Sequence, residues 1–317
     1  MSELDACVRP LAELGALHLR RPYAVIAFGG WIDASWAATN AIRYLVDRLA
    51  APRIAELDPE PFYSFTDTRP RVIVRGAVER EVRWRQGRWH AARMGDLANR
   101  DLVLFIGPEP NLRWRTFTGV LLDVLQQLGT EALLTLGAVL APTHYRARVP
   151  LRGWATTEEW RSALRRRGVE RSTYEGPTGV ATVLSLGAHE RGLPAVSLNA
   201  LTPTYLGNLA NPRTSLELLR VVADVLGARL PLVDLEEAVH SFNQQVDEFL
   251  ASQPELRAEI DRLARAAEED PHPGGSGPAL PEPASTGELP GPEDVLRELE
   301  DFLKTLRETR GDSASDT

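Results

Sequence analysis

The sequence predicts an α/β protein with three layers, in which helices cover both faces of a mainly parallel, twisted sheet. Four short apolar runs, typical of buried strands, lie at 23–28, 101–106, 132–138 and 195–198. Three helix-like segments separate these runs, at about 33–49, 116–128 and 178–191. Strands that are apolar without alternation and that are joined through helices lie parallel, with helices on both faces. We expect right-handed crossovers between them.

The organisation changes after Asn211, where only helical patterns remain. An apolar stripe at spacings of four and three predicts a C-terminal helical extension that packs on the sheet or on a partner helix. Its members are Leu235, Val239, Phe242, Val246 and Phe249. We therefore assign residues 1–268 to one α/β domain with C-terminal helices.

A tail follows this domain. Residues 269–291 are rich in Pro, Gly, Ser and Glu, which predicts a flexible linker. Residues 292–311 begin with Pro and acidic side chains and predict a tail helix, and 312–317 are expected to be disordered. Because an isolated helix of this length is marginal in water, we expect it to dock on its own domain or on another protein.

An arginine-rich segment alternates apolar and polar residues from Arg71 to Arg93, which predicts a β-hairpin that turns at Gln86-Gly87. Arginines interleaved with Trp84 and Trp89 are also a pattern of single-strand nucleic-acid binding. The net charge of the whole chain is −8, however. A solvated strand face or an anionic protein partner is the favoured interpretation, and no nucleic acid is predicted.

Composition excludes several classes of function. Lys304 is the single lysine and lies in the tail, so a Walker A loop or a Schiff-base enzyme is not expected. The single cysteine, Cys7, fits a reducing compartment, and no secretion signal or apolar span is apparent, so we expect a cytoplasmic protein without membrane association. The six histidines lack metal-ligand spacing, and no nucleophile elbow occurs. We predict no catalytic residue, no metal and no cofactor.

Polar residues at the carboxyl ends of the predicted strands form the best candidate ligand site. They are Gly30, Asp33, Glu109, His144 and Arg146. Ligands of open α/β sheets bind at this edge. The alternatives are structural: Asp33 can cap a helix, Glu109 and Arg146 can form an ion pair, and Gly30 can simply serve a tight turn.

Several short patterns in this order resemble the proteasome assembly chaperone family, of the second-chaperone type, in its bacterial, actinobacterial-like branch of unknown function. They include Gly30-Trp31-Ile32-Asp33-Ala34, Gly107-Pro108-Glu109-Pro110, Gly176-Pro177-Thr178-Gly179, Pro203-Thr204-Tyr205 and Asn211-Pro212. The resemblance implies a fold similar to that of the purine nucleoside phosphorylases. It also implies a homo-oligomer, with a trimer suspected.

Two segments depart from the family pattern. Pro142-Thr143-His144-Tyr145-Arg146 differs from the family's Pro-His-Thr-Arg type of segment, and the sequence ends in Ser313-Ala-Ser-Asp-Thr317 instead of a hydrophobic–Tyr–any-residue docking tail. Literal proteasome assembly is therefore less expected. The leading hypothesis is a non-catalytic, homo-oligomeric, assembly-chaperone-like scaffold with an unknown protein partner, for which the tail helix is a candidate contact. The alternative is an enzyme or binder that acts on a nucleoside-like or small anionic ligand.

Overall fold

A mixed nine-stranded sheet lies at the centre of the computed structural model, which describes residues 6–76, 78–269 and 297. Its middle consists of four parallel strands, which include each of the four apolar runs predicted from the sequence. In sheet order they are β7 (Leu102–Pro108), β2 (Tyr23–Gly29), β8 (Ala132–Ala141) and β11 (Ala195–Pro203). Their carboxyl ends meet at one edge, where the candidate site was predicted.

Shorter strands extend this centre on both sides. Beyond β7 lie β6 (Arg88–Ala92), β3 (Arg53–Leu57) and β1 (Val8–Pro10), all antiparallel to their neighbours. Beyond β11 lie the antiparallel β9 (Leu151–Ala155) and then β10 (Glu170–Arg171), which is parallel to β9. The predicted α/β fold is confirmed, and the parallel pairing is concentrated in the middle of the sheet.

Helices pack on both faces of the sheet, as predicted. One apolar core joins a face of β2 to α1 (Ala37–Arg48), α3 (Glu158–Arg166) and α5 (Pro212–Leu226). The second core joins the opposite face to α2 (Trp114–Gln127) and α4 (Val180–Glu190). Val25 and Ala27 belong to the first core, and Ala24, Ile26 and Phe28 to the second. This alternation follows from the period of two in a strand that is buried on both faces.

The prediction of a hairpin that turns at Gln86-Gly87 is wrong, because β6, which follows these residues, pairs with β3 and β7 of the main sheet. Strands β4 (Arg71–Arg75) and β5 (Glu79–Arg83) form a separate two-stranded antiparallel sheet, and the chain turns between them. We call residues 71–83 the arm. Gly87 is needed for a different reason, because a Cβ at this position would lie 2.4 Å from Cζ of Phe105. The glycine therefore allows the chain to pass closely over an aromatic ring in the main sheet.

The C-terminal extension consists of α6 (Val233–Ala251) and α7 (Pro254–Glu269), with a break just before Pro254. The predicted stripe is buried, partly in a cluster that Phe242, Val246 and Phe249 form with Tyr145 and Tyr205. Apart from Arg297, the predicted linker after 269, the tail helix and the disordered end lie outside the described residues. No helix in the described ranges is long and apolar enough to cross a membrane.

Candidate functional site

Asp33 lies between β2 and α1 and is 2% exposed. Its Oδ1 accepts the backbone N–H groups of Ala38 at 2.9 Å and Thr39 at 3.1 Å, and the Thr39 hydroxyl donates to Oδ2 at 2.6 Å. Burial raises the pKa of Asp33 to about 7, although the hydrogen bonds from Thr39 and the charge of Arg43 oppose this rise. The carboxyl group therefore satisfies the first turn of α1 from within the protein.

The chain between Asp33 and α1 is unusually bent. Ser35 and Trp36 are consecutive non-glycine residues in the left-handed region, with φ of 55° and 49°. The Ser35 backbone N–H donates to the carbonyl oxygen of Gly207 at 3.2 Å, and its hydroxyl donates to that of Leu206 at 2.8 Å. Left-handed conformations of this kind persist only where the surroundings hold them. No sequence signal identified this bend, which ties the start of α1 to the loop that follows β11.

Glu109 connects three segments at the carboxyl edge of the sheet. Its Oε1 accepts the backbone N–H of Val180, the first residue of α4, at 2.7 Å. Its carboxylate also accepts the backbone N–H of Trp31, and its own N–H donates to the carbonyl oxygen of Gly29 at 2.7 Å. Burial raises the pKa of this carboxyl group. A carboxylate at a helix N-terminus is favourable because unpaired N–H groups and the helix dipole meet there.

Two glycines make room for this carboxylate. A Cβ on Gly30, which has φ of +146°, would lie 3.1 Å from Cβ of Glu109. A Cβ on Gly179 would lie 3.0 Å from Oε1 of Glu109. The strand-to-helix glycines therefore allow a glutamate side chain to approach the backbone closely. Gly30 thus lies between Glu109 and the loop that leads to Asp33.

A small cavity lies beside Glu109. It is lined by Phe28, Ile32, Glu109, Leu136, Gly179 and Ala181. The space open to the centre of a water molecule is about 10 Å³. That is roughly the minimum for a single water, whereas pockets for small molecules measure about 300–1,000 Å³.

His144 and Arg146 lie in the loop after β8 and contact the helical extension. Nε of Arg146 donates to Oδ1 of Asp247 on α6 at 2.9 Å. His144 Nε2 lies 3.5 Å from Oδ1 of Asp261 on α7. Burial lowers the pKa of His144, and Asp261 opposes this effect. Both side chains thus hold α6 and α7 against the loop.

Tyr145 lies between these two residues, is buried, and also contacts the helical extension. Its hydroxyl donates to Oδ1 of Asp247, and its backbone N–H donates to the hydroxyl oxygen of Tyr205 at 2.8 Å. Tyr145 and Tyr205 are both buried. The extension therefore covers loops that follow β8 and β11 at the carboxyl edge. Sequence reasoning missed both tyrosines as residues that fill this region.

The predicted site residues thus form two groups. Gly30, Asp33 and Glu109 surround the turn after β2, where the carboxylates accept backbone N–H groups from α1 and α4. His144 and Arg146 instead face the helical extension. Within the described part of the chain, no group of three or more His, Cys, Asp or Glu side chains is arranged to hold a metal ion.

Comparisons with known proteins agree with this fold. Residues 27–250 match the PAC2 family. A proteasome-assembly chaperone homologue of Mycobacterium tuberculosis is 37% identical, over 71% of this chain and 94% of that chain, with a TM-score of 0.66. A PAC2 family protein of Streptomyces avermitilis is 36% identical, over 75% and 99% of the two chains, with a TM-score of 0.68.

A more distant structure shares the fold. PbaB, an archaeal proteasome activator from Pyrococcus furiosus, is 20% identical over 76% of this chain and 97% of that chain, with a TM-score of 0.59. No curated protein matches. The family match covers more than half of the chain, and the resemblance inferred from the sequence is confirmed. The chain therefore belongs to the PAC2 family.

Proposed function

We propose that this protein is a non-catalytic, homo-oligomeric scaffold that binds other proteins in the manner of an assembly chaperone. The observation that carries this proposal is the filled carboxyl edge of the sheet. Open α/β sheets bind their small ligands at this edge. Here the edge contains helix-capping carboxylates, two packed loops with Tyr145 and Tyr205, and a cavity of about 10 Å³.

The chemistry of the edge supports the same conclusion. Asp33 and Glu109 accept backbone N–H groups from the first turns of α1 and α4, so these oxygens point at protein groups. A residue that binds a substrate must instead present its polar atoms to a space that the substrate can enter. The two carboxylates therefore act as structural links between the sheet and the helices.

The relatives support a protein-binding role. A Mycobacterium tuberculosis protein that is 37% identical to this chain is described as a proteasome-assembly chaperone homologue, which supports a role in binding other proteins. We propose a trimer, as the family resemblance implied. We also propose that the protein lies in the cytoplasm. The protein partner is a further part of the proposal, and we place its contacts on exposed surfaces outside the filled edge.

The alternative function is that of an enzyme or binder that acts on a nucleoside-like or small anionic ligand. It has less support. It requires a pocket that joins the predicted site residues, and the cavity beside Glu109 has room for about one water molecule. His144 and Arg146 are engaged by Asp261 and Asp247 of the extension. A ligand would have to displace these contacts before it could reach both groups.

The first experiment combines mass measurement with affinity capture. Light scattering after size exclusion should give a multiple of the 35.0 kDa chain, and a trimer is expected. The tagged full chain, captured from native lysate beside a tag-only control, should retain a partner in stoichiometric amount. A monomer without such a partner would contradict the scaffold.

A ligand screen tests the alternative directly. Thermal unfolding of the full chain is followed with nucleosides, nucleotides and inorganic phosphate, for the wild type and for Glu109→Gln. We expect no shift with any of them. A ligand that raises the unfolding temperature of the wild type but not of the variant would overturn the non-catalytic assignment and place the ligand beside Glu109.

A further inference from the structure

The arm presents an exposed apolar face. Val72, Val74 and Val82 are 58%, 57% and 49% exposed. Val72 lies directly opposite Val82, and the period of two places Val74 on the same face. Trp84 continues this face beyond β5 and packs against the ring of Phe65, with centroids 4.7 Å apart. A two-stranded hairpin is marginally stable alone in water, and a strand edge with exposed apolar side chains invites a partner.

The opposite face of the arm is mainly polar, although the half-buried Ile73 also lies on it, across from Glu81. Glu81 forms ion pairs with Arg75 at 3.0 Å and with Arg83 at 3.6 Å. These three side chains alternate with the valines and therefore point away from the apolar face. The arm thus has one face on which charged side chains form ion pairs with one another, and one face on which valine side chains are exposed.

The surroundings of the arm are strongly basic. Residues 69–93 contain eight arginines and two glutamates, a net charge of +6. Burial lowers the pKa of Arg85, and the nearby charges of Arg71 and Arg43 lower it further. An acidic occupant would therefore lie beside an excess of positive charge.

The C-terminal tail has the complementary composition. Residues 270–317 contain eleven acidic and four basic residues, which gives a net charge of −7 in a chain of −8. Five of the acids lie between 293 and 301. The helical stripe predicted for the same segment is apolar and consists of Val295, Leu299, Phe302 and Leu306. The segment offers both an apolar surface and negative charge.

We propose that residues 292–311 dock on the apolar face of the arm of the same chain, with their acidic residues beside Arg80, which lies opposite Val74 on that face. Residues 270–291, whose composition predicts a flexible linker, would have a root-mean-square span of roughly 26 Å. Short linkers of this kind give an effective concentration on the order of 1 mM. At this effective concentration an intrachain contact is favoured over one between separate molecules, provided that the linker spans the distance from the end of α7 to the arm. This contact is independent of the scaffold function proposed above.

Hydrogen exchange of the full chain tests the contact from the tail side. Leu299→Asp/Phe302→Asp places two charges in the tail stripe and should increase the exchange of arm residues 71–83. A dissociation constant of about 100 µM at an effective concentration of about 1 mM would give roughly tenfold protection. That protection should disappear in the variant and weaken in 1 M salt, because the attraction is partly electrostatic.

The reciprocal variant and a matched control complete the test. Val72→Asp should increase exchange in residues 292–311, whereas Val233→Asp, at a 65% exposed position on α6, should change neither segment. Unchanged arm exchange in the tail variant would overturn the proposal. So would protection that grows with protein concentration together with tail-dependent self-association, because the occupant would then come from a second copy. The subunit number of the wild type is measured separately, so failure here leaves the scaffold proposal intact.

Discussion

The buried carboxyl group of Asp33 makes the stability of the protein depend on pH, and Asp33→Asn should remove this dependence. The asparagine side chain is nearly isosteric and keeps an oxygen that can accept the N–H groups of Ala38 and Thr39. It cannot ionise. The variant therefore resembles the wild type with a neutral Asp33 at every pH.

The size of the effect follows from the two pKa values. The pKa of Asp33 rises from 3.8 to about 7 in the folded protein. Between these values the folded state binds more protons than the unfolded state, so the free energy of unfolding falls as the pH rises. Each pKa unit corresponds to about 1.4 kcal/mol, which gives a total of about 4 kcal/mol. This contribution is fully present below pH 3.8 and is lost by about pH 7.

The assay is urea unfolding followed by circular dichroism at pH 4.5, 6 and 7.5. The free energy of unfolding of Asp33→Asn minus that of the wild type should increase by about 3–4 kcal/mol over this range. Asp67→Asn, which removes an exposed carboxylate, serves as the matched control and should follow the pH dependence of the wild type. If the difference for Asp33→Asn changes by less than about 1 kcal/mol, the carboxyl group is not buried as described.

Three further substitutions test contacts at and near the carboxyl edge, each by denaturant unfolding. Glu109→Ala leaves a backbone N–H at the start of α4 without its acceptor and should destabilise the fold by about 1–3 kcal/mol, whereas Glu109→Gln keeps an acceptor and should destabilise it less. Gly87→Ala forces a Cβ against an aromatic ring and should destabilise by about 1–3 kcal/mol, whereas Gly15→Ala, with free space around it, should stay within about 0.5 kcal/mol. Tyr145→Phe removes the hydroxyl that donates to Asp247 and should destabilise by about 1 kcal/mol, with faster hydrogen exchange in α6.

Each of these three predictions has an outcome that would contradict it. Equal effects of Glu109→Ala and Glu109→Gln would show that the carboxylate does not act as a hydrogen-bond acceptor for α4. A Gly87→Ala variant as stable as Gly15→Ala would mean that the chain does not approach the ring closely. Unchanged hydrogen exchange in α6 after Tyr145→Phe would show that the hydroxyl group of this tyrosine does not help to attach the extension.

The sequence predicts the central strands well because their environment is uniform. A strand that is buried on both faces is mainly apolar, and β2, β7, β8 and β11 have this character despite a few small polar residues in β8 and β11. The antiparallel strands β3 and β9 are five residues long and contain arginines, so their pattern does not separate them from loops. The hairpin turn was predicted at the wrong place because the sequence does not distinguish a glycine needed for close packing, such as Gly87, from a glycine needed for a turn.

The candidate site could be predicted only in part from the sequence. The meeting of Gly30 and Glu109 follows from the topology, since carboxyl ends of neighbouring parallel strands share an edge. The capping role of Asp33 also follows from its place before a helix, although the left-handed bend at Ser35 does not. The partner of Arg146 lies 101 residues away in the chain, on α6. Such a contact depends on how the extension packs, and local sequence patterns carry no information about that.

The two carboxylates at the edge also bear on whether this edge can open. A helix start that is capped by a buried carboxylate loses stability if a ligand takes the cap away. Asp33 accepts N–H groups of α1 and Glu109 accepts one of α4, so a substrate that displaced them would leave both helix starts without these acceptors. The hydrogen bonds of Asp33 and Glu109 therefore favour a rigid edge over one that opens to a substrate.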